Sequence, residues 1–270
     1  MHASLNVPDN PAEPPALDFL SRQNPAHMRP FVEELDGLLN LRFDMATVQS
    51  AMRINNPNAL ELEYTRTMMR CLLFNAAPKA MLMIGMGGGS LAKYAHHTLP
   101  QTDITVVEIN PHVVALRDRF LLPPDGPRFR VLQADGADHV HDAAKLGTLY
   151  DIILVDAFHF NGAPAAISSK VFFQACRALL SKQGVLVMNL ESEPEQCQPV
   201  LARMGDAFDG AVWSVLTDAS SNRIAFAAGK DQLMATMRQA DARLAALAPV
   251  HRETLTQRVS NRLNFAPLFG

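Results

Sequence analysis

The sequence contains little cysteine, and its few cysteines form no recognisable pattern. The 270 residues include three, Cys71, Cys176 and Cys197, which are widely spaced and form no CxxC pair. An odd, scattered set argues against a disulfide framework and against a structural zinc site. We therefore expect three small core residues in a protein of the reducing cytoplasm.

Long apolar runs and an excess of one charge are also absent. No run approaches the ~18 residues of a membrane span, and segments such as 152–155 are only as long as a strand. The first ten residues have no basic start and no apolar segment, so no secretory signal or membrane partner is expected. The sequence contains 24 Lys and Arg and 27 Asp and Glu. A nucleic-acid partner is not expected either, because a protein that binds nucleic acid needs a basic surface.

Proline, by contrast, is concentrated near the start of the sequence. Six of the 18 prolines lie in residues 1–30, which excludes a regular helix or a central strand there and predicts an extended arm. Strand-like and helical segments follow, at 31–35, 38–43, 47–52 and 60–74. The dipeptide Asp36-Gly37 is a hairpin signal. These features predict a small N-terminal β domain with a linking helix over residues 31–76.

From Met81 onward, apolar strands alternate with helices. The predicted strands are 81–84, 104–108, 128–132, 151–156 and 184–189, with helices such as 113–120 and 170–180 between them. Continuous apolar strands of this kind imply a parallel sheet covered on both faces. A terminal antiparallel hairpin is expected from 212–216 and 223–227, and a helix from 231–248. The predicted fold class is α/β: a doubly wound, mostly parallel seven-stranded sheet over 77–230, with a small N-terminal β-hairpin sheet and a C-terminal helical tail over 231–270.

Glycines and a carboxylate follow the first two of these strands. The run 85–90 reads Gly-Met-Gly-Gly-Gly-Ser, and glycines between a strand and a helix let the backbone approach a ligand closely. Such a run favours a nucleotide-type ligand over an ordinary turn, but Ser90 stands where a dinucleotide fingerprint has its third glycine. An NAD-binding oxidoreductase is therefore disfavoured. Glu108 ends the next strand, 21 positions after Gly87, where an acidic residue accepts hydrogen bonds from ribose hydroxyls.

Two further polar clusters follow the third and fourth strands. Asp135-Gly136 could receive an adenine amino group and leave room for the ring, although an ordinary turn explains it equally well. Asp156 ends the fourth strand and His159 lies three positions further on, a pair that could activate a nucleophile or hold a cation. Because ligands of open α/β sheets bind at the carboxyl ends of the strands, the four clusters together predict one site.

The same motifs carry a resemblance to a known family. They are 84–89, 107–111, Asp135-Gly136 and 155–159, with Gln49-Ser50 and Tyr64 upstream and 189–192 after the fifth strand. In this arrangement the sequence resembles the spermidine synthase family of polyamine aminopropyltransferases from residue 40 to residue 228. The first three motifs are shared with the wider class of AdoMet-dependent methyltransferases. The upstream hairpins with Gln49 and Tyr64 point more narrowly to the aminopropyltransferases.

The resemblance implies a role for each matching position. Glu108 would hold the ribose of the donor, and Asp135 its adenine amino group. The remaining positions of the implied donor pocket are Gln49, Gly85, Gly87, Gly88 and Gly136. Tyr64 and Glu191 would line the cavity for the donor tail or the acceptor.

Asp156 matches the catalytic carboxylate of the family, which orients the attacking amine and helps to take its proton. His159 could accept that proton, with Asp156 orienting it. Three positions depart from the family pattern: Gly88 replaces an Asp that binds the aminopropyl ammonium, His159 replaces a second Asp, and Thr65 replaces a His beside the tyrosine. Losing two carboxylates removes attraction for cations, and a buried ammonium without a partner is costly.

The predicted function is therefore that of a spermidine-synthase-like transferase. It would move an aminopropyl group from decarboxylated AdoMet to a small-molecule amine, without a metal, in polyamine biosynthesis. Two alternatives stay open: an AdoMet-dependent methyltransferase acting on a small molecule, and a catalytically silent nucleotide-binding homologue. Because the family is commonly dimeric, the resemblance also implies a homodimer.

Overall fold

The computed structural model describes residues 28–157, 164–217 and 222–256. Most of the predicted proline-rich arm, His159 and the last part of the predicted C-terminal tail lie outside these ranges. Within them the chain forms a small antiparallel sheet, a large mixed sheet and helices on both faces of the large sheet. This arrangement confirms the predicted fold class.

The small sheet contains three antiparallel strands in the order β1-β2-β3. They are β1 (Phe31–Leu35), β2 (Leu38–Arg42) and β3 (Ser50–Arg53). Asp36 and Gly37 both have positive φ, 52° and 75°, as a tight hairpin between right-twisted strands requires. The third strand begins later than the predicted residue 47, because Asp44 Oδ1 accepts the amides of Ala46 and Thr47. That turn removes both residues from the ladder.

The predicted linking helix over 60–74 is in fact two elements. Helix α1 (Glu63–Met68) is followed by a 3₁₀ turn, Met69–Leu73. All five residues of the turn are buried, and the Phe74 amide donates to the Cys71 carbonyl at 2.9 Å in the tighter i to i+3 pattern. Apolar spacing does not separate these two helix types when every face of the segment is buried.

The large sheet has seven strands in the order β6-β5-β4-β7-β8-β10-β9. They are β4 (Ala80–Ile84), β5 (Asp103–Glu108), β6 (Phe129–Gln133), β7 (Tyr150–Val155), β8 (Leu180–Glu191), β9 (Val212–Leu216) and β10 (Asn222–Ala228). The first five strands of this spatial order are parallel, and β10 runs antiparallel to both β8 and β9. The predicted terminal antiparallel hairpin is therefore confirmed.

Helices cover both faces of this sheet. The remaining ones are α2 (Ser90–Thr98), α3 (Pro111–Val114), α4 (Gly136–Lys145), α5 (Lys170–Leu179), α6 (Pro194–Ala207), α7 (Lys230–Arg238), α8 (Ala240–Ala246) and α9 (Pro249–Thr256). Residues of β4 alternate between two buried clusters: Met81 and Met83 pack with α2 and α7, and Leu82 and Ile84 pack with α4 to α6. Among the described helices, none combines the length and the apolar character that a membrane span requires.

Two further helix predictions were wrong in extent. Only residues 113 and 114 of the predicted helix 113–120 are helical, at the end of α3, because the chain then turns so that Phe120 and Leu122 pack beneath the glycine run. Lys93 Nζ, which is buried, donates to the Phe120 carbonyl at 2.7 Å and holds this turn against α2. The predicted helix 231–248 breaks at Gln239, and Pro249 starts a new helix, as proline favours the first helical position.

Gly85 provides a test of how closely the two central strands approach each other. Its φ is +92°, and a Cβ there would lie 2.1 Å from the backbone carbonyl oxygen of Asp156. Gly85→Ala should therefore lower the free energy of unfolding by about 3 kcal/mol, because neither the backbone strain nor the clash can relax cheaply. Gly205→Ala is the control: within α6 nothing lies near its added Cβ, so a gain of about 1 kcal/mol is expected. Urea unfolding of both variants checks this, and equal stabilities would contradict it.

Candidate active site

A cavity of about 1010 Å³ lies at the carboxyl ends of the parallel strands, beneath the small sheet. Nine of the sequence-predicted site residues line it: Gln49, Tyr64, Gly85, Gly87, Glu108, Asp135, Gly136, Asp156 and Glu191. They come from α1, β5, β8, the start of α4 and the segments that adjoin β3, β4, β6 and β7. The fold thus brings together groups that are up to 142 positions apart in the chain, Gln49 and Glu191. Gly88 does not line the cavity, and His159 lies outside the described residues.

Glu108 is held at the end of β5 by the backbone of the glycine run. Its Oε2 accepts the Met86 amide at 2.8 Å, and its Oε1 accepts the Asn110 amide at 2.9 Å. Burial raises the pKa of this carboxyl, and the backbone amides oppose that rise. Because a carboxylate oxygen can accept more than one hydrogen bond, both oxygens keep capacity for a ligand in the cavity.

Asp135 serves first as the N-cap of α4. Its Oδ1 accepts the amides of Ala137 at 2.7 Å and Asp138 at 3.3 Å, which satisfies donors that a helix start leaves free. The neighbouring glycine has a packing reason, since a Cβ at Gly136 would lie 2.4 Å from Ile84 Cγ2. Asp135 and Gly136 thus form the turn at the start of α4 and also line the cavity. An ordinary turn and a place for an adenine ring are therefore compatible interpretations of this dipeptide.

Asp156 stands at the centre of a hydrogen-bonded network. Tyr64 Oη donates to its Oδ2 at 3.2 Å, and Asn189 Nδ2 donates to its Oδ1 at 3.0 Å. Burial raises the pKa of the Asp156 carboxyl, while these two donors lower it. Burial and the charge of Asp156 raise the pKa of Tyr64 well above its usual value, so Tyr64 stays a protonated donor. The carboxylate is held in place by neutral groups and has room on its cavity side.

Gly88, where the resemblance places an Asp of the family, has no room for a side chain. A Cβ there would lie 2.7 Å from Ser50 Oγ and 2.8 Å from Phe120 Cδ1. Phe120 is 1% exposed and belongs to the core. In this chain the space that a side chain at position 88 would need is therefore filled by an aromatic ring.

The charge of the cavity wall has one sign. Its ionisable carboxyl groups are Asp44, Glu108, Asp135, Asp156, Glu191 and Glu193, and the described wall contains no Lys, Arg or His. Burial and the charge of Glu193 raise the pKa of Glu191. A wall of this composition attracts cations and repels anions.

Several wall residues were missed by reading the sequence. Asn189 could have been found, because it lies near the end of the fifth parallel strand as Asp156 does at the end of the fourth. Asp44, Glu193 and Asn222 carry no local signal and reach the cavity through tertiary packing. Met28 also lines it, and its carbonyl accepts Asn110 Nδ2 at 2.7 Å.

Thr65, at the position of the family His, bonds its own helix: Oγ1 donates to the Leu62 carbonyl at 2.6 Å. Over the described ranges, no group of three His, Cys, Asp or Glu side chains is placed to hold a metal ion. The described part of the site thus consists of carboxylates, amides, a phenol and a glycine turn, which can bind cations, hold hydroxyl groups and accept a proton.

Comparison with known proteins agrees with this geometry. A polyamine aminopropyltransferase of Neisseria meningitidis is 36% identical over 193 residues, which cover 71% of this chain and 72% of that protein. The structure of a probable spermidine synthase from Corynebacterium glutamicum matches 88% of this chain and 94% of its own length with a TM-score of 0.62 at 19% identity. Human methyltransferase-like protein 13, solved in complex with SAH, matches 69% of this chain and 94% of its own at a TM-score of 0.60 and 24% identity.

The two structural matches show the shared fold of aminopropyltransferases and methyltransferases. The family model described as the spermine/spermidine synthase domain matches residues 61–237. That range contains the glycine run, Glu108, Asp135, Asp156 and the terminal hairpin. With the Neisseria relative and this match, which covers more than half of the sequence, the chain belongs to the spermine/spermidine synthase family.

Proposed function

We propose that the protein transfers an aminopropyl group from decarboxylated AdoMet to a small-molecule amine, a step of polyamine biosynthesis. The observation that carries this proposal is the one-sided charge of the cavity wall. The donor is a cation at its sulfonium and at its amino tail, and the acceptor is an amine that is mostly protonated at neutral pH. A wall with carboxylates and no described Lys, Arg or His is complementary to both reactants.

The donor's nucleoside would lie against the ends of β5 and α4. Glu108 would accept from the ribose hydroxyls, since both of its oxygens are fixed by backbone amides and each keeps acceptor capacity. Asp135 would accept from the adenine amino group through Oδ2, because its capping bonds use Oδ1. Gly85 and Gly87, on the wall beside them, let the backbone approach the ligand closely.

The chemistry requires positioning and the removal of one proton. When bound, the sulfonium donor supplies an electrophilic carbon and a neutral thioether leaving group. The acceptor nitrogen forms a bond to that carbon as the carbon–sulfur bond breaks, and the nitrogen loses one proton. Asp156 would orient the attacking amine and take this proton, because its carboxylate lies at the cavity wall with Tyr64 and Asn189 holding its two oxygens.

The location of the protein in the cell and its oligomeric state are predictions that accompany this proposal. A cytoplasmic location is supported by Cys71, Cys176 and Cys197, which are all free and buried, as suits a reducing compartment. A homodimer is supported by family membership. The domain boundaries at residues 30, 76 and 230, and the assistance of His159, also stay predictions, as does the absence of a nucleic-acid partner.

The ammonium of the donor tail needs an anchor other than position 88. Gly88→Asp should not supply one; it should lower the free energy of unfolding by about 1–3 kcal/mol, because Phe120 and Ser50 fill the space. In a Phe120→Leu background the same change should cost less, a coupling that a double-mutant cycle of urea unfolding measures. Tighter donor binding by a fully stable Gly88→Asp variant would contradict this interpretation.

Asp156→Ala should lower turnover by about 10²–10⁴-fold, the usual contribution of a positioned acid or base. Asp206→Ala removes an exposed carboxylate on α6 that pairs with Lys170 and should leave turnover unchanged. The readout is the rate of methylthioadenosine formation by the two variants and the unmodified protein. Full activity of Asp156→Ala would remove Asp156 from the catalytic assignment.

The reaction itself is tested by mass spectrometry of the nucleoside product. The full chain is incubated with an amine mixture and with either decarboxylated AdoMet or AdoMet. Methylthioadenosine formed only with the decarboxylated donor and an amine is the expected result. S-adenosylhomocysteine formed from AdoMet would instead identify a methyltransferase, and binding of both donors without any product would identify a silent nucleotide-binding homologue.

A further inference from the structure

Asn222 is linked to the catalytic carboxylate although the two do not touch. Its Nδ2 donates to Asn189 Oδ1 at 3.0 Å, and Asn189 Nδ2 donates in turn to Asp156 Oδ1 at 3.0 Å. Asn189 is 3% exposed, so its amide has little access to water that could replace either partner. Asn222, Asn189 and Asp156 thus form a hydrogen-bonded row. Which end of the Asn189 side-chain amide faces each partner therefore depends on the hydrogen-bonding groups of Asn222 and Asp156.

The direction of the row follows from the chemistry of the groups. An ionised carboxylate only accepts hydrogen bonds, whereas an Asn side chain has a donor end and an acceptor end. Asn189 must turn its Nδ2 to Asp156, and its Oδ1 then points to Asn222. A donor at position 222 stabilises this orientation, and an acceptor at that position would favour the reverse one.

The antiparallel register of β10 brings Asn222 to this place. Asn222 pairs with Glu191 and Ile224 pairs with Asn189, so Asn222 is the diagonal neighbour of Asn189 on the same face of the sheet. The backbone carbonyl of Asn222 accepts both the amide and the hydroxyl of Thr217, each at 3.0 Å. These bonds secure the first residue of β10, next to the cavity that Asn222 lines.

We propose that Asn222 is a positioning residue for the transfer reaction: it fixes the amide of Asn189 in the orientation that donates to Asp156. This proposal rests on the proposed function, since it assumes that Asp156 works as an ionised proton acceptor. Asn222 itself is not a catalytic residue. It acts by keeping a donor, rather than an acceptor, against the carboxylate.

The titratable and charged groups around Asp156 come from several elements. Tyr64 of α1 contacts it directly. The carboxyl groups that share the cavity wall with it are Glu191 at the end of β8, Glu193 at the start of α6, Glu108 at the end of β5, Asp135 at the start of α4, and Asp44. Arg223, next to Asn222 on β10, bonds Ser214 of β9. Burial already raises the pKa of Asp156 and the Asn189 bond opposes that rise, so losing this donor would raise the pKa further.

Two variants change the polarity at position 222. Asn222→Asp presents only acceptors to Asn189 and should reverse its amide. We expect the acid limb of the pH profile of kcat/KM to move to higher pH by about one unit. Asn222→Leu removes the donor without adding charge and should move the limb in the same direction by less. Because ribose binding by Glu108 is untouched, the KM for the donor should change little in both.

A spectroscopic measurement separates amide reversal from the added charge. In ¹⁵N-asparagine-labelled protein, the side-chain amide protons of Asn189, assigned by their loss in Asn189→Leu, should titrate with Asp156 in the unmodified chain. In Asn222→Asp they should lose this titration. Asn55→Asp, which adds the same charge at an exposed turn after β3, should keep both the titration and the acid limb. An acid limb and an amide titration that are unchanged in Asn222→Asp and Asn222→Leu would overturn the proposal.

The two readouts distinguish a failure of the proposed reaction from a failure of the role of Asn222. If the Asn189 resonances respond as expected but the unmodified protein forms no methylthioadenosine, the hydrogen-bonded row stands and the proposed reaction fails. If the protein transfers aminopropyl groups but neither readout moves, the role of Asn222 fails alone. Thermal unfolding of each variant is measured across the same pH range, so that a shift of the acid limb is counted only where the variant is fully folded.

Discussion

The site depends on the close backbone approach of β4 and β7 at their carboxyl ends. Ile84 pairs with Val155, so Gly85 lies opposite Asp156, and the Asp156 amide donates to the Ile84 carbonyl at 2.8 Å. A residue with a Cβ at position 85 would overlap the Asp156 carbonyl. This contact places the start of the glycine run and the carboxyl group of Asp156 side by side at the wall of the cavity.

Around that contact the buried carboxylates are satisfied by neutral donors. Glu108 is held by backbone amides, and Asp156 by a phenol and an amide. Neutral donors fix the geometry of a carboxylate without cancelling its charge, and an uncompensated buried charge is costly. The folded protein therefore keeps negative potential in the cavity. In the proposed reaction, cationic reactants would relieve this potential, and the Asn189 amide would act on the carboxylate that takes the proton.

The segment that follows α3 packs against the glycine run. This segment turns back beneath the run, with Phe120 under Gly88 and Leu122 under Gly89, and Lys93 holds the Phe120 carbonyl. Burial lowers the pKa of Lys93 to about 8. A side chain at position 88 and this packing of Phe120 cannot occupy the same space in this chain.

The fold class, the family resemblance and nine of the residues that line the cavity could be predicted from local patterns. These patterns are the continuous apolar strands, the glycine run, and the carboxylates that follow strands. A parallel sheet necessarily brings the ends of its strands to one edge. The sequence did not reveal that Phe120 packs against Gly88, that Asp135 caps a helix, or that Asn222 bonds Asn189 beside Asp156. It also did not reveal that the predicted helices 60–74 and 231–248 are broken. These features depend on strand register and on side chains that are distant in sequence, and no local pattern contains either.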